Sequence, residues 1–306
     1  MKIAGKTRET TDLMSRIGNT PLVEIRKVFY SPVTRIFGKC EWFNPGGSVK
    51  DRAAARMVLQ AEKAGLLSPG KTILDATSGN TGIALAMIGA LRGYAVELAM
   101  PENATPERKQ ILDTYGAVMN LTNPLEGADG SIQRARELAA SDPDKYYYAD
   151  QYSNPSNWEA HFYGTAREIH RQLDGEITHF VAGIGTSGTF VGTSRGLKEL
   201  DPNIQVASFI PSTPLHGLEG LKHLPTAMVP AIYDPNLADM ELEVDTEEAY
   251  TMARRLALEE GLFVGPSSSA AVIAAIELAG TIPGGTIVTV FPDGGLKYVS
   301  EEFWAG

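Results

Sequence analysis

The chain has a single cysteine, Cys40, among 306 residues. No intrachain disulfide can form, and no Cys/His cluster has metal-ligand spacing, so no metal is expected. Basic runs are also missing: 27 Lys and Arg stand against 37 Asp and Glu, a net charge of −10. A phosphate backbone is gripped by clustered cations, which argues against nucleic acid and anionic membrane as partners. Long apolar runs are missing too. Uncharged stretches such as Ala76–Leu91 and Gly261–Ile276 are interrupted by Gly, Ser and Thr. Both fall short of the roughly 20 apolar residues that a spanning helix needs. Met1 to Glu9 show no apolar segment of the signal-peptide kind. A soluble, cytoplasmic protein is expected.

What the chain has in excess is glycine: 31 residues, about one in ten, against an average near ~7%. Hydrophobic residues make up 43% and charged residues 21%, a globular rather than a disordered composition. Short apolar runs with β character recur at 35–42, 72–76, 95–100, 117–121, 146–149, 178–182, 205–210 and 286–291. Helical patterns lie between them, at 50–64, 81–92, 106–115, 131–140, 155–173, 189–200, 246–260 and 268–279. This alternation predicts an α/β fold of parallel βαβ units, with helices on both sheet faces. Several strands are continuously apolar, as strands covered on both faces are. By size, two lobes divided near Asp150 are expected, 1–150 and 151–306. Asp201–Asp239 is proline-rich and reads as a long loop or cap.

The glycines gather where strands should end and helices begin, the edge at which open α/β sheets bind ligands. The first turn, 44–52, places Ser48 to cap a helix and Lys50 in its first turn. The helix dipole disfavours a cation there and lowers its pKa, which suits an amine acting as nucleophile or imine former. The second turn, Thr77-Ser78-Gly79-Asn80-Thr81-Gly82, offers hydroxyls, an amide and backbone N–H groups to a carboxylate. In the third, 183–189, Gly183, Gly185 and Gly188 leave backbone N–H groups open to a phosphate. No acidic residue follows at the distance a dinucleotide fingerprint requires, and the Lys-Ser/Thr ending of a P-loop is missing. The fourth, 265–271, carries three serines. A fifth, Asp293-Gly294-Gly295, reads as a simple loop. An amine, a carboxylate cup, a phosphate cup and a hydroxyl suit a phosphorylated aldehyde held as an imine while an amino acid binds beside it. Pyridoxal phosphate meets that description.

These segments resemble the cysteine synthase and cystathionine β-synthase family, fold-type II pyridoxal phosphate enzymes related to the tryptophan synthase β chain. The resemblance runs from Ile17-Gly18-Asn19-Thr20-Pro21-Leu22 to Lys297-Tyr298-Val299-Ser300, and is nearest the bacterial cysteine synthase B and phosphoserine sulfhydrylase branch. It implies two lobes, each an open, mostly parallel sheet flanked by helices, with the chain up to about Cys40 packed on the second lobe. It makes Lys50 the Schiff-base lysine and proton-transfer base, and Asn80 the partner of the cofactor's 3′ oxygen. Gly185, Thr186, Ser187, Gly188 and Thr189 become the phosphate cup, and Ser267 faces the pyridine nitrogen. Thr77, Ser78, Gly79 and Thr81 become the substrate-carboxylate loop, helped by Gln151. Lys222 stands where phosphoserine-using relatives carry arginine, its alternative being a solvated loop lysine. Pro266 stands where the family has Ile or Val, and Ser269 where it has Gly. The implied activity is β-replacement on O-acetylserine or O-phosphoserine by sulfide, giving cysteine. The alternatives are cystathionine or another β-substituted alanine as product, or a catalytically silent regulatory homologue. A homodimer is implied, and a serine acetyltransferase is a partner in part of the family.

Overall fold

The computed structural model describes residues 12–77 and 79–305. In chain order the strands are β1 Leu22–Ile25, β2 Thr34–Cys40, β3 Thr72–Ala76, β4 Ala95–Pro101, β5 Val118–Thr122, β6 Tyr146–Tyr148, β7 His179–Gly183, β8 Gln205–Pro211, β9 Met240–Val244 and β10 Gly285–Phe291. The helices are α1 Lys50–Lys63, α2 Asn80–Arg92, α3 Pro106–Thr114, α4 Gly127–Ser141, α5 Pro155–Ala160, α6 Ala166–Gln172, α7 Gly188–Leu200, α8 Thr246–Arg255 and α9 Pro266–Thr281.

The strands form two sheets. One has the order β5-β4-β3-β6 and is parallel throughout. The other has the order β1-β2-β10-β7-β8-β9, with only β1 antiparallel to its neighbour. Helices cover both faces of each sheet. On the four-stranded sheet, α1 and α2 bury Met57, Ile83 and Leu85 with Ile73 and Leu98 on one face. On its other face α4 sets Ile132 and Ala135 against Leu74 and Ala99. On the six-stranded sheet, α8 and α9 cover Val181, Phe209 and Phe291. On the opposite face α6 and α7 bury Ile169, Phe190 and Val191 with Phe180, Val206 and Val288. Two-sided cover explains why β3 is buried at every position, Thr72 and Asp75 included.

Local signals set most helix ends. Asp245 accepts from the N–H groups of Glu247 and Glu248 at the start of α8, and Arg254 and Arg255 close its last turn, charges placed to suit the helix dipole. Four expectations are corrected. The helix expected over 155–173 divides into α5, a π-helical turn at His161–Thr165, and α6. The helix over 246–260 likewise ends in a π-helical turn, Leu256–Glu260. Apolar periodicity reads through one inserted residue, so the sequence pattern stays continuous there. Helix α4 starts at Gly127 rather than Ser131. Strands β1 and β9 were not anticipated: both are short sheet edges, and β9, Met-Glu-Leu-Glu-Val, alternates apolar and charged residues. Asp201–Asp239 contains β8 before its long loop.

Helix α7 is held close to α5. A Cβ at Gly192 would lie 1.9 Å from the Trp158 carbonyl oxygen, so only glycine permits this approach. That contact fixes the axis whose first turn forms the 183–189 loop. Among the described residues, no helix is long and apolar enough to cross a membrane. Nor does any group of three or more His, Cys, Asp and Glu there have the placement to hold a metal ion.

Candidate active site

The strand-to-helix turns of the two sheets face one another across a cavity of about 550 Å³. Lys50, Thr77, Asn80, Thr81, Gln151 and Lys222 line it. A narrower cavity of about 60 Å³ is walled by Ser187, Thr189 and Ser267. Lys50, Asn80, Gly185 and Thr186 belong to both. Residues far apart in the chain thus converge, while Gly79 and Gly188, named with them from the sequence, line neither cavity. Ser78 lies outside the described residues.

Lys50 opens α1, and its backbone N–H donates to Ser48 Oγ at 3.2 Å. Ser48 therefore serves the first turn from one position before the helix cap, Val49. The Lys50 amine is pulled down to about 8, chiefly by burial, while the charges of Asp293 and Asp75 act the other way. Burial, rather than the helix dipole expected from the sequence, is the main cause. Asp75, at the end of β3, is pushed up to about 8 by burial. Asp51 is raised to about 6 for the same reason.

In the second turn, Thr77 Oγ1 accepts from the N–H groups of Gly79 and Gly82, at 3.0 and 3.3 Å. Part of the expected carboxylate cup is thus closed by its own threonine. Thr81 Oγ1 donates to Gln151 Oε1 at 2.7 Å, and Gln151 Nε2 donates to the Ala76 carbonyl. Gln151 therefore pins this turn from the neighbouring segment.

In the third turn, a Cβ at Gly185 would lie 1.9 Å from the Gly220 carbonyl. Ser187 adopts the left-handed conformation, φ +67°, at the cap of α7. Its Oγ is buried and has no hydrogen-bond partner among the described residues. Thr186 Oγ1 accepts from Asn157 Nδ2 at 2.9 Å and from the Gly188 N–H at 3.4 Å. In the fourth turn, Pro266 takes the first helical position of α9, where a missing N–H costs nothing. Ser269 Oγ donates to the Pro266 carbonyl at 2.8 Å, so its hydroxyl is spent inside its own helix. Ser267 is 4% exposed, against the narrow cavity.

Lys222 is no solvated loop residue. It is 6% exposed, and its Nζ donates to Asp129 Oδ1 at 2.7 Å. Asp129 Oδ2 also accepts from the Met228 N–H, and its carboxyl is held below the usual range by these bonds against the cost of burial. Sequence reasoning missed Asp129, and Arg108, which pairs with Glu219 across the same cavity. It also took Asp293-Gly294-Gly295 for a plain loop. Asp293 is fully buried, and its Oδ2 accepts from Asn80 Nδ2 at 2.7 Å. The signal was available, since this glycine pair also follows a strand, β10.

A family model described as pyridoxal-phosphate dependent enzyme matches residues 13–293. The chain belongs to this family. The enzyme is 53% identical to the cysteine synthase of Aquifex aeolicus, over 98% of this chain and 93% of that protein. It is 41% identical to cysteine synthase B of Salmonella typhimurium, over 94% of each. Its structure superposes on cysteine synthase (OASS) of Entamoeba histolytica with TM-score 0.91 and 36% identity, covering 100% of this chain and 94% of that one. The residues present fit the cofactor that names the family. The orphaned Ser187 hydroxyl and the first turn of α7 are set for a phosphate, and Lys50 stands in the wall of the same narrow cavity.

Proposed function

We propose that this enzyme makes cysteine from an O-activated serine and sulfide. The observation that carries the reading is the desolvated Lys50 amine, set between a carboxylate-ready turn on one side of the cavity and a phosphate-ready turn on the other.

Pyridoxal phosphate, when bound, supplies an electron-withdrawing carbonyl and ring that acidify the Cα–H of an amino acid. The chain does the rest. Gly185, Thr186, Ser187, Gly188 and Thr189 would hold the phosphate, Asn80 would meet the ring oxygen, and Ser267 would face the pyridine nitrogen. A serine at that nitrogen, unlike an aspartate, does not hold the ring protonated, which favours loss of a Cβ group. Thr77, Ser78, Gly79 and Thr81 orient the substrate carboxylate, with Gln151 holding Thr81. The neutral Lys50 amine takes the Cα proton, the Cβ–O bond breaks, and the leaving group departs. Sulfide adds at Cβ, and Lys50 returns the proton to Cα. The lobes divide near Asp150, and the working form is a cytoplasmic homodimer.

The donor follows from Lys222. Its ammonium already carries the Asp129 carboxylate. A phosphate leaving group would have to share that ammonium with the Asp129 carboxylate, which repels it, whereas an acetyl group leaves the pair intact. O-acetylserine is therefore the preferred donor. The test is cysteine formation by the cofactor-loaded enzyme, with sulfide and each donor in turn. O-acetylserine should give kcat/KM at least about tenfold higher, the equivalent of one charge-assisted contact. Failure with both donors sinks the assignment, and a faster reaction with homocysteine than with sulfide replaces it with cystathionine synthesis.

A further inference from the structure

The segment after β10 contributes a second layer beneath the cavity floor. Lys297 is 8% exposed, and its ammonium is spent on three acceptors: Asn80 Oδ1 at 2.8 Å, Gly47 O at 3.1 Å and Gly46 O at 3.2 Å. An ammonium has three donors, so this tripod is complete. Asp293 Oδ2 accepts from Asn80 Nδ2 at 2.7 Å and from the Tyr298 hydroxyl at 2.9 Å. The Asp293 carbonyl accepts from the Gly265 N–H and from Ser268 Oγ, both at 3.2 Å. One short segment thus ties together the turns that open α1, α2 and α9.

The Asn80 amide is gripped at both ends by opposite charges. Turned over, it would point its NH₂ at the Lys297 ammonium and its oxygen at the Asp293 carboxylate. Both contacts would be repulsive, and both groups are buried where that repulsion is poorly screened. The amide therefore has one orientation. In it, the acceptor faces the cation, one N–H faces the carboxylate, and the second N–H remains for the cavity side.

We infer that Lys297 and Asp293 are positioning residues that lock the Asn80 amide with its second N–H turned toward the ring oxygen of bound pyridoxal phosphate. This rests on the proposed contact between Asn80 and the cofactor. The ammonium gains a further purpose from its carbonyl partners. Gly46 and Gly47 immediately precede the turn of Lys50, so the amide and the amine keep one spacing.

The test is a mutant cycle read by cofactor binding, with the dissociation constant and visible absorption band measured by titrating each cofactor-free protein. Lys297→Met should raise the dissociation constant about tenfold, as expected for losing one hydrogen bond from a charged group. In an Asn80→Ala background the same change should raise it less than about twofold, since coupled residues do not add. Lys297→Arg, which still donates to Asn80 Oδ1, should restore the band position of the parent. Equal factors in both backgrounds would overturn the inference while leaving the Asn80 contact standing. An Asn80→Ala protein with parental affinity and an unmoved band would instead remove the contact, and the inference with it. Should Lys297→Met fail to fold, Asp293→Asn keeps size and an acceptor for Tyr298, and the same cycle is run with it.

Discussion

Helix α1 carries two cations two residues apart, Arg52 buried and Lys50 half-buried in the cavity wall, and they are treated in opposite ways. Arg52 is saturated. Its guanidinium donates to Glu41 at 2.6 and 2.9 Å, to Glu168 at 2.7 and 2.8 Å, and to Thr20 at 3.2 Å. Lys39 adds a second cation, 2.7 Å from Glu168. Burial works against every charge in this group; it still lowers the Lys39 amine, but at Glu41, Glu168 and Arg52 the hydrogen bonds and mutual attraction prevail. Glu41 and Glu168 are held below the usual carboxylate range, and Arg52 is raised. Around Lys50 the same burial prevails instead. No ion pair reaches Lys50 among the described residues, and Asp75 and Asp293 act on it only through their field. Asp51, Asp75 and Asp293 each keep one buried oxygen without a hydrogen-bond partner. One group is built to keep its charges, whereas burial brings Lys50 and Asp75 in the other to where they can give protons up and take them back.

The contrast breaks most visibly at Lys50. Lys50→Ala should remove cysteine formation by about 10²–10⁴-fold from lost proton transfer alone. It should also abolish the visible absorbance of the cofactor-bound protein while leaving the thermal midpoint unlowered, because the side chain is a stability cost. A variant that keeps the visible band would contradict the role given to Lys50. Arg52→Ala should do the reverse. It strands two buried carboxylates, and losing one side of a buried ion pair costs about 3–5 kcal/mol. The midpoint in denaturant should fall steeply. A loss of only about 0.5 kcal/mol, ordinary for a surface change, would show that the network is not carrying the helix.

Next in size is the pH dependence of cofactor capture. A free lysine amine is neutral only above its ordinary 10.5, whereas Lys50 sits near about 8. The rate at which cofactor-free protein captures pyridoxal phosphate should rise with pH and level off just above about 8, on stopped-flow absorbance. A rise that continues to pH 10 would mean that burial does not lower this amine.

How much of this was legible in the sequence depends on the distance over which each residue acts. Lys50, Thr81 and the 183–189 turn were visible because strand-end glycines and hydroxyls are local signals. Among the described residues, every strand except β1 and β9 was anticipated for the same reason, the apolar runs being local. Glu168 lies 116 positions from Arg52 and carries no such signal, and only the fold brings the two together. Asp293 and Lys297 were in view as a loop and as the end of a resemblance. Their function needed the position of Asn80, which precedes them by 213 and 217 positions. Lys222 was singled out as a candidate for the leaving group, but its pairing with Asp129, 93 positions away, carried no sequence signal.

The most finely resolved comparison isolates Asp75, the carboxyl whose unpartnered oxygen lies buried near Lys50. Its value rises from an ordinary 3.8 to about 8 in the folded chain. Between those limits the unfolded chain releases the proton and the folded chain keeps it. Stability therefore falls as pH rises through that window, and is level above about 8. Lys50 acts in the adjoining window: its lowered amine makes stability rise between about 8 and 10.5. The cofactor-free protein should thus show a minimum of stability near pH 8. Asp75→Asn keeps the shape and removes the titration, so the decline from pH 5 to pH 8 should flatten while the rise above pH 8 persists. Thermal midpoints of both proteins at pH 5, 8 and 10 would settle this. Parallel curves would mean that Asp75 is ionised in the folded state, and that the Lys50 site is not the proton-exchanging counterpart of the Arg52 network.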